Sequence, residues 1–403
     1  MTDCVYDPQT CTGCGACAAR CPQRAIRMEI GEEGFVWPVV DTDKCVGCGL
    51  CARICPAEHP VCENAEKPEC LAAVAADELR RDSSSGAVFP LLAERVLQEG
   101  GTVFGAARDE DGTVRHIGVD DLDGLRKLKS SKYVQSETGN CYRQAEELLK
   151  AGREVLFSGT PCQIAGLNAF LGRKYDNLLT VDVVCHGVPS PLAFRRYAEE
   201  LTEEGKEKVL AVNFRDKVRG WYPYFLTVKT EENVYSSDCR ENEFMRAFLA
   251  NLCLRKSCAA CPFARFPRQG DLTLGDFWGI GRHAPDLDDN LGTSLVLINT
   301  ERGRRRMAEL TPRLKFRRSL PLARAIEGNP SLVRPPVPHP RRDYFFARLE
   351  QLPFKQNVFH CFNNRYDCGI LNFWFGSNYG AMLTCYALQE SVKRLGLKPK
   401  VIN

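Results

Sequence analysis

The sequence predicts a chain of the α/β (α+β) class built in three parts, and three observations carry that expectation. Residues 1–62 are crowded with cysteine and glycine and poor in long apolar runs, so they cannot form an ordinary oily core. From about residue 83, helical and strand-like stretches alternate, the pattern of a mixed α/β core. After a proline-rich segment at 329–341 the chain restarts as a partial C-terminal βα unit. A length of 403 residues allows about two to four domains at roughly 100–200 residues each. The expected boundaries are 1–62, a linker at 63–82, a central domain at 83–348 and an incomplete domain at 355–403. The chain is 44% hydrophobic and 26% charged, with no charged-then-apolar leader and no run near the roughly 18 apolar residues of a membrane helix. A soluble, cytoplasmic protein without a membrane span is therefore expected.

The first part is the most specific. Cys11-x-x-Cys14-x-x-Cys17-x-x-x-Cys21-Pro22 returns as Cys45-x-x-Cys48-x-x-Cys51-x-x-x-Cys55-Pro56, an internal repeat offset by 34 residues. Two intervening residues let a tight loop set three thiolates on three corners of a cubane, and the fourth cysteine reaches the cluster of the other half. Cys11, Cys14, Cys17 and Cys55 are expected to hold one 4Fe-4S cluster and Cys45, Cys48, Cys51 and Cys21 a second, in a two-cluster ferredoxin-like domain. Gly13, Gly15, Gly47 and Gly49 let the backbone approach the sulfurs and donate amide hydrogen bonds. Zinc motifs present cysteine pairs across a long gap rather than four closed by Cys-Pro. Cys4, Cys62 and Cys70 fit neither repeat. The formal net charge of +3 ignores thiolates; each cubane with its thiolates carries about −2, so the loaded protein is near neutral or acidic, and no nucleic-acid partner is implied.

In the central part, helices are expected at Val88–Gln98, Cys141–Lys150, Pro191–Glu204, Asn242–Leu252 and Arg302–Leu310, and strands at Thr102–Ala107, Glu154–Phe157, Leu178–Cys185, Leu210–Phe214, Phe225–Lys229, Leu272–Leu274 and Leu295–Asn299. The arginine-rich stretch 302–348 reads as a solvated face and connector. Cys253-x4-Cys258-x-x-Cys261-Pro262, with lone Cys162 and Cys185, is compatible with a third cubane, a zinc site or reduced structural cysteines. Cys162, at a helix start, also suits a catalytic thiol. Ser83-Ser84-Ser85-Gly86 before a helix suits phosphate oxygens or a plain N-cap, and Ser131-Lys132-Tyr133 offers hydroxyl, cation and aromatic face. Leu274 to Ile280 reads as a strand ending in a tight aromatic turn. There is no Gly-x-Gly-x-x-Gly after a strand and no phosphate loop, so neither a standard NAD site nor a nucleotide hydrolase is supported.

Taken together, Ser83-Ser84-Ser85-Gly86, Ser131-Lys132-Tyr133, Gly159-Thr160-Pro161-Cys162-Gln163, Cys185-His186-Gly187, Phe214-Arg215-Asp216-Lys217 and Gly275-Asp276-Phe277-Trp278-Gly279 resemble the coenzyme F₄₂₀ hydrogenase/dehydrogenase beta-subunit family over about residues 71–348. The resemblance implies FAD and a third 4Fe-4S cluster in a central mixed α/β flavoprotein domain. Cys253, Cys258 and Cys261 would be ligands, and Cys162 and Cys185 compete for the fourth place. It also implies flavin contacts from Ser83, Ser84, Ser85, Gly86, Ser131, Lys132, Tyr133, Gly159 and Thr160. Lys132 and His186 are candidates for polarising the flavin or its partner, with a surface lysine and a satisfied histidine as the plain alternatives. One departure is Ala87, where relatives commonly carry a second glycine.

In the tail, Asp367–Phe375 and Lys398–Ile402 read as strands around a helix at Tyr379–Leu395. Asp367-Cys368-Gly369-Ile370, Asn378-Tyr379-Gly380-Ala381 and Tyr386-Ala387-Leu388-Gln389 resemble the start of a polysaccharide pyruvyl transferase domain, expected here as an opening unit without activity. The functional expectation is an iron-sulfur flavoprotein oxidoreductase that moves electrons between a two-electron carrier, FAD and 4Fe-4S clusters. Its partners would be an electron carrier such as reduced deazaflavin or ferredoxin, and a partner redox subunit. The alternatives are an electron-transfer and docking subunit with no small substrate of its own, and a redox accessory to a glycan-modifying enzyme. No side chain is assigned a catalytic role.

Overall fold

The structure is a computed structural model that describes residues 7–203, 205–363, 368–371, 379–395 and 397–402. Cys4, Glu204, Asp367 and residues 372–378 lie outside the described residues. The chain forms two compact units, 1–342 and 343–403.

An eight-stranded mixed sheet organises the first unit. Its order is Phe316–Ser319, Glu69–Val74, Ser294–Ile298, Leu272–Asp276, Leu178–Val183, Val155–Gly159, Thr102–Arg108 and Val114–Val119. The four strands from Leu272–Asp276 to Thr102–Arg108 run parallel, and the strands outside them pair antiparallel. Parallel strands are buried on both faces and alternate between two cores. Thus Leu156 and Leu179 pack with Leu91, Leu92 and Val96 of helix Val88–Gln98 and with Met307 of helix Glu301–Leu310. Val155, Phe157 and Leu178 pack instead with Tyr142 and Leu149 of helix Cys141–Lys150 and with Ile164 and Leu167 of helix Pro161–Leu171.

Strand Glu69–Val74 falls within the stretch expected as a linker. Five of its six residues are buried, because Leu71 and Ala73 enter one core and Cys70 and Ala72 the other. Small residues such as Ala72 and Ala73 lack the β-branched signature from which strands are read. Beside the large sheet, Val209–Asp216, Phe225–Thr230 and Val234–Asp238 form a three-stranded antiparallel sheet.

The cysteine-rich segment belongs to the first unit. It folds as a hairpin, Ile26–Ile30 with Val36–Val40, flanked by short helices Ala16–Arg20 and Leu50–Arg53. Its first repeat is held to the rest of the unit by polar contacts. Thr138 Oγ1 donates to the Cys14 carbonyl at 3.2 Å and Arg143 Nε to the Ala19 carbonyl at 3.0 Å, while the Gln135 side chain accepts from Val36 N at 3.0 Å. Arg342 pairs with Glu33 and donates to the Leu254 carbonyl at 2.7 Å. The second repeat faces outward: Cys48 is exposed and Val46 is 66% exposed.

In the arginine-rich stretch, Arg304 pairs with Glu69, Arg306 with Glu99 and Glu154, and Arg318 with Asp286. The second unit contains helix Phe354–Asn363 and a βαβ unit in which Cys368–Leu371 and Pro399–Ile402 pair in parallel around helix Tyr379–Arg394. No helix among the described residues is long and apolar enough to cross a membrane.

Candidate functional site

In the two cysteine repeats, the sequence sets matching loop geometry. Gly13 and Gly15 have φ of 69° and 78°, and Gly47 and Gly49 both have 66°. A side chain rarely adopts this left-handed region, which is why glycine recurs at these positions. Gly15 and Gly49 then open the two short helices. The amide of Gly13 hydrogen-bonds the Cys11 sulfur and that of Ala16 the Cys14 sulfur. Cys55, from the second repeat, lies close enough to interact electrostatically with both Cys11 and Cys14. The structure thus brings Cys55 of the second repeat near Cys11 and Cys14 of the first. Burial is the largest influence on these thiols and pushes Cys14 up to about 12.

A second cysteine group lies where several elements meet. Thr160 caps helix Pro161–Leu171 in a capping box with Gln163, which sets Cys162 in the first turn. Cys185 follows the end of strand Leu178–Val183, and Cys258 and Cys261 lie in and just after the 3₁₀ turn Lys256–Ala260. All four line one small cavity with Arg255, Arg268 and Thr12. Three of the four sulfurs accept from backbone amides, and the fourth lies beside a hydroxyl. Cys185 accepts from the Gly187 amide, Cys258 from Val188 N at 3.4 Å, Cys261 from the amides of Phe263 and Ala264, and Thr160 Oγ1 lies 3.1 Å from Cys162 Sγ. Burial first, and then the neighbouring cysteines, pushes Cys162 up to about 11 and Cys185 well above the usual thiol value; burial pushes Cys258 up to about 12.

Cys253 does not join this group. It is fully buried, its carbonyl accepts from Ser190 N at 3.0 Å, and the charge acting on it is Arg342. Leu254, next in the chain, bridges to Pro189, and the 3₁₀ turn with Cys258 follows. Cys162 and Cys185, expected as rivals for one place, are both present. Cys14 approaches the same helix one turn on from Cys162: a Cβ on Gly166 would lie 3.2 Å from the Cys14 sulfur.

Next to the four cysteines is a cavity of about 510 Å³, and Cys162 and Cys185 line it as well. Ser83, Ser84, Ser85, Ser131, Lys132, Tyr133, Gly159 and Thr160 are in its wall. The two serine segments meet there, Ser84 Oγ lying 2.9 Å from Ser131 Oγ and accepting from Ser131 N at 2.8 Å. Gly86 is placed behind the wall: its amide donates to Ser294 Oγ at 3.0 Å, and a Cβ would meet the Ala73 carbonyl at 2.4 Å. Glycine is required there by close packing on the sheet. Ala87, with φ of 65°, starts helix Val88–Gln98, which carries no side-chain cap, so its first amides open toward the cavity. The left-handed backbone explains why glycine suits position 87 better than alanine.

Charged groups in the wall are held inside the protein. Lys132 Nζ donates to the carbonyls of Lys129 at 2.7 Å, Lys127 at 2.8 Å and Ser130 at 3.2 Å, and burial lowers its pKa to about 7. Arg215, 3% exposed, pairs with Asp276 at 3.0 Å and lies 4.0 Å over the Tyr224 ring. Among the described residues, Arg215 Nε and His186 Nε2 are buried with no hydrogen-bond partner. Burial lowers His116 to about 4; its Nε2 donates to the Ser158 carbonyl at 3.0 Å and its Nδ1 lies 2.8 Å from Ser136 Oγ. No sequence motif marks His116, Arg215, Tyr224 or Asp276 as a site residue on its own. A lone histidine on a strand gives no signal, whereas the aromatic turn after Asp276 did mark that corner.

These features define an iron-sulfur electron-transfer protein. Residues 10–59 match a family model described as a 4Fe-4S dicluster domain. Residues 152–317 match one described as the C terminus of the beta subunit of coenzyme F420 hydrogenase/dehydrogenase, so this region is related to those proteins. Among solved structures, the chain is similar to a chain of the F420-reducing [NiFe] hydrogenase complex from Methanosarcina barkeri, at 16% identity and a TM-score of 0.44, over 75% of this chain and 93% of that one. No curated protein matches it.

Proposed function

We propose that this protein is an oxidoreductase that passes electrons between a two-electron carrier of the deazaflavin type, FAD in the 510 Å³ cavity, and three 4Fe-4S clusters. The observation that carries the reading is that Cys162 and Cys185 line both the large cavity and the small one, so a cluster held there would adjoin the flavin. FAD would supply the exchange between two-electron and one-electron chemistry. The chain's own residues bind and insulate. The uncapped start of helix Val88–Gln98 and the Ser83–Ser85 loop suit a pyrophosphate. Arg215 and His186, both in the cavity wall, bring a fixed cation and an imidazole to it.

Cys162, Cys185, Cys258 and Cys261 are the third ligand set, and Cys253 is structural. Four buried thiols stay protonated unless a cation compensates them, which an iron core would do. Among the described residues, no three His, Cys, Asp or Glu side chains converge on a single metal ion. A cubane keeps its thiolates apart, at separate corners. Cys368–Leu371 and Pro399–Ile402 pair in parallel, a unit common to many α/β folds, so nothing beyond the sequence resemblance supports a pyruvyl transferase domain, and no activity is assigned to it.

The test is anaerobic reconstitution of the full chain with iron, sulfide and FAD. The expected result is one flavin and about twelve irons per chain. Cys185→Ser should hold about eight, and Cys253→Ser about twelve. A chain that binds no flavin, or a parent that holds no more than about eight irons, overturns the reading.

A further inference from the structure

Arg255 sits between two of the cysteine groups. It is 2% exposed. Its Nε donates to the Cys11 carbonyl at 2.9 Å and its Nη1 to the Val36 carbonyl at 3.0 Å, and its Nη2 lies 3.8 Å from the Cys11 sulfur. The guanidinium stacks 3.7 Å from the centre of the Trp37 ring. Its other side lines the small cavity of Cys162, Cys185, Cys258 and Cys261. The loop at Gly13 is shaped around it, since a Cβ there would come within 2.9 Å of Nη1.

A buried guanidinium needs a counter-charge. The neighbouring carboxylate Glu33 is engaged by Arg342 and Lys256. Arg268, the other arginine of the small cavity, faces Asp182. For Arg255, the groups whose ionisation favours its charge are Cys11, Cys258 and Cys162, which come from both sides. A solvated or purely structural arginine would not be walled by two sets of thiols.

We infer that Arg255 is a shared counter-ion, a positioning residue that raises the reduction potentials of the two iron-sulfur centres on either side of it, at Cys11 and at Cys162. The inference rests on the proposed third cluster. Taking up one electron adds one negative charge to a centre, and a fixed positive charge beside it favours that state. Because arginine does not lose its proton in proteins, the effect persists across the working pH range. Arg255 touches the Cys11 loop and lines the cavity of Cys162, whereas Cys45, Cys48 and Cys51 belong to the outward-facing repeat, whose cluster serves as an internal reference.

The experiment is an EPR-monitored redox titration of the anaerobically reconstituted full chain, with iron counted in parallel. Arg255→Gln is expected to keep about twelve irons. It should lower two of the three midpoints by at least about 59 mV, the equivalent of a tenfold change for one electron. The third midpoint should stay in place, and Arg255→Lys should retain most of the parent values. Two midpoints that do not move, three that move together, or a lysine variant that shifts as far as the glutamine variant each overturn the inference. Should Arg255→Gln lose iron, Arg255→Lys decides: parent-like midpoints support the charge role, and iron loss there too reduces Arg255 to a structural group. A parent with only about eight irons instead removes the third cluster itself, so the two failures are told apart.

Discussion

Replacing Asp276 with asparagine should expose how strongly the cavity wall depends on one ion pair. Arg215 is 2% exposed and Asp276 14% exposed by side chain, and their nearest nitrogen and oxygen are 3.0 Å apart. At an effective dielectric near 20, that separation gives an attraction of about 5–6 kcal/mol. Asparagine keeps the size of the side chain but not its charge, and it has one oxygen for two donors, because Trp221 Nε1 also donates to Asp276, at 3.2 Å. A residual neutral hydrogen bond and partial solvent access offset part of the loss, which leaves a destabilisation of about 3 kcal/mol, as for a buried charge stripped of its partner. The assay is equilibrium urea unfolding under anaerobic conditions, followed by tryptophan fluorescence. Trp221 and Trp278, two of the four tryptophans, stand 4.3 Å apart beside this pair and report on it. Asp276→Asn, Arg215→Met and the double variant close a cycle, with an expected coupling of about 2–3 kcal/mol. A coupling under about 0.5 kcal/mol would falsify the claim that the pair holds the wall.

Two further outcomes follow from buried groups. Lys132 has its pKa lowered from 10.5 to about 7 by burial, so between those values the unfolded chain holds a proton that the folded chain does not. Stability should therefore rise as pH increases from about 7 toward 10, by less than ~1.4 kcal/mol per pH unit because three carbonyls favour the charged form. Lys132→Met should flatten that slope in denaturation curves taken across the range. The Tyr142 hydroxyl lies 2.9 Å from the Cys14 carbonyl and 2.8 Å from the Gln163 carbonyl, so it ties the first repeat to the helix of Cys162. Tyr142→Phe leaves buried acceptors short of a donor and should cost about 1–3 kcal/mol in the same unfolding assay. An unchanged midpoint would show that water replaces the hydroxyl.

Local signals carried much of this architecture. Helices at Val88–Gln98 and Cys141–Lys150 stand where apolar spacing placed them, and the α/β alternation became a mixed sheet with helices on both faces. The ferredoxin repeats were legible because cluster ligation needs contiguous spacing. What escaped notice was decided by tertiary partners. Strand Glu69–Val74 is a strand only because two cores receive its small side chains. Cys253 shares a sequence neighbourhood with Cys258 and Cys261 but not a place: it is buried with its carbonyl bonded to Ser190 N and does not line their cavity. Arg215 and His116 are far in sequence from Asp276 and Ser158, and Arg255, although three residues before Cys258, is far from Cys11 and Cys162, so no motif shows these contacts.

The contrast between the stitched first repeat and the exposed second one has a kinetic meaning under the proposed function. A small carrier would react at the cavity, and a protein partner would reach the second repeat, which does not line that cavity and where Cys48 meets solvent. The two half-reactions then share a current but no surface. Neither substrate would act as a competitive inhibitor of the other, and turnover would not require one to leave before the other arrives.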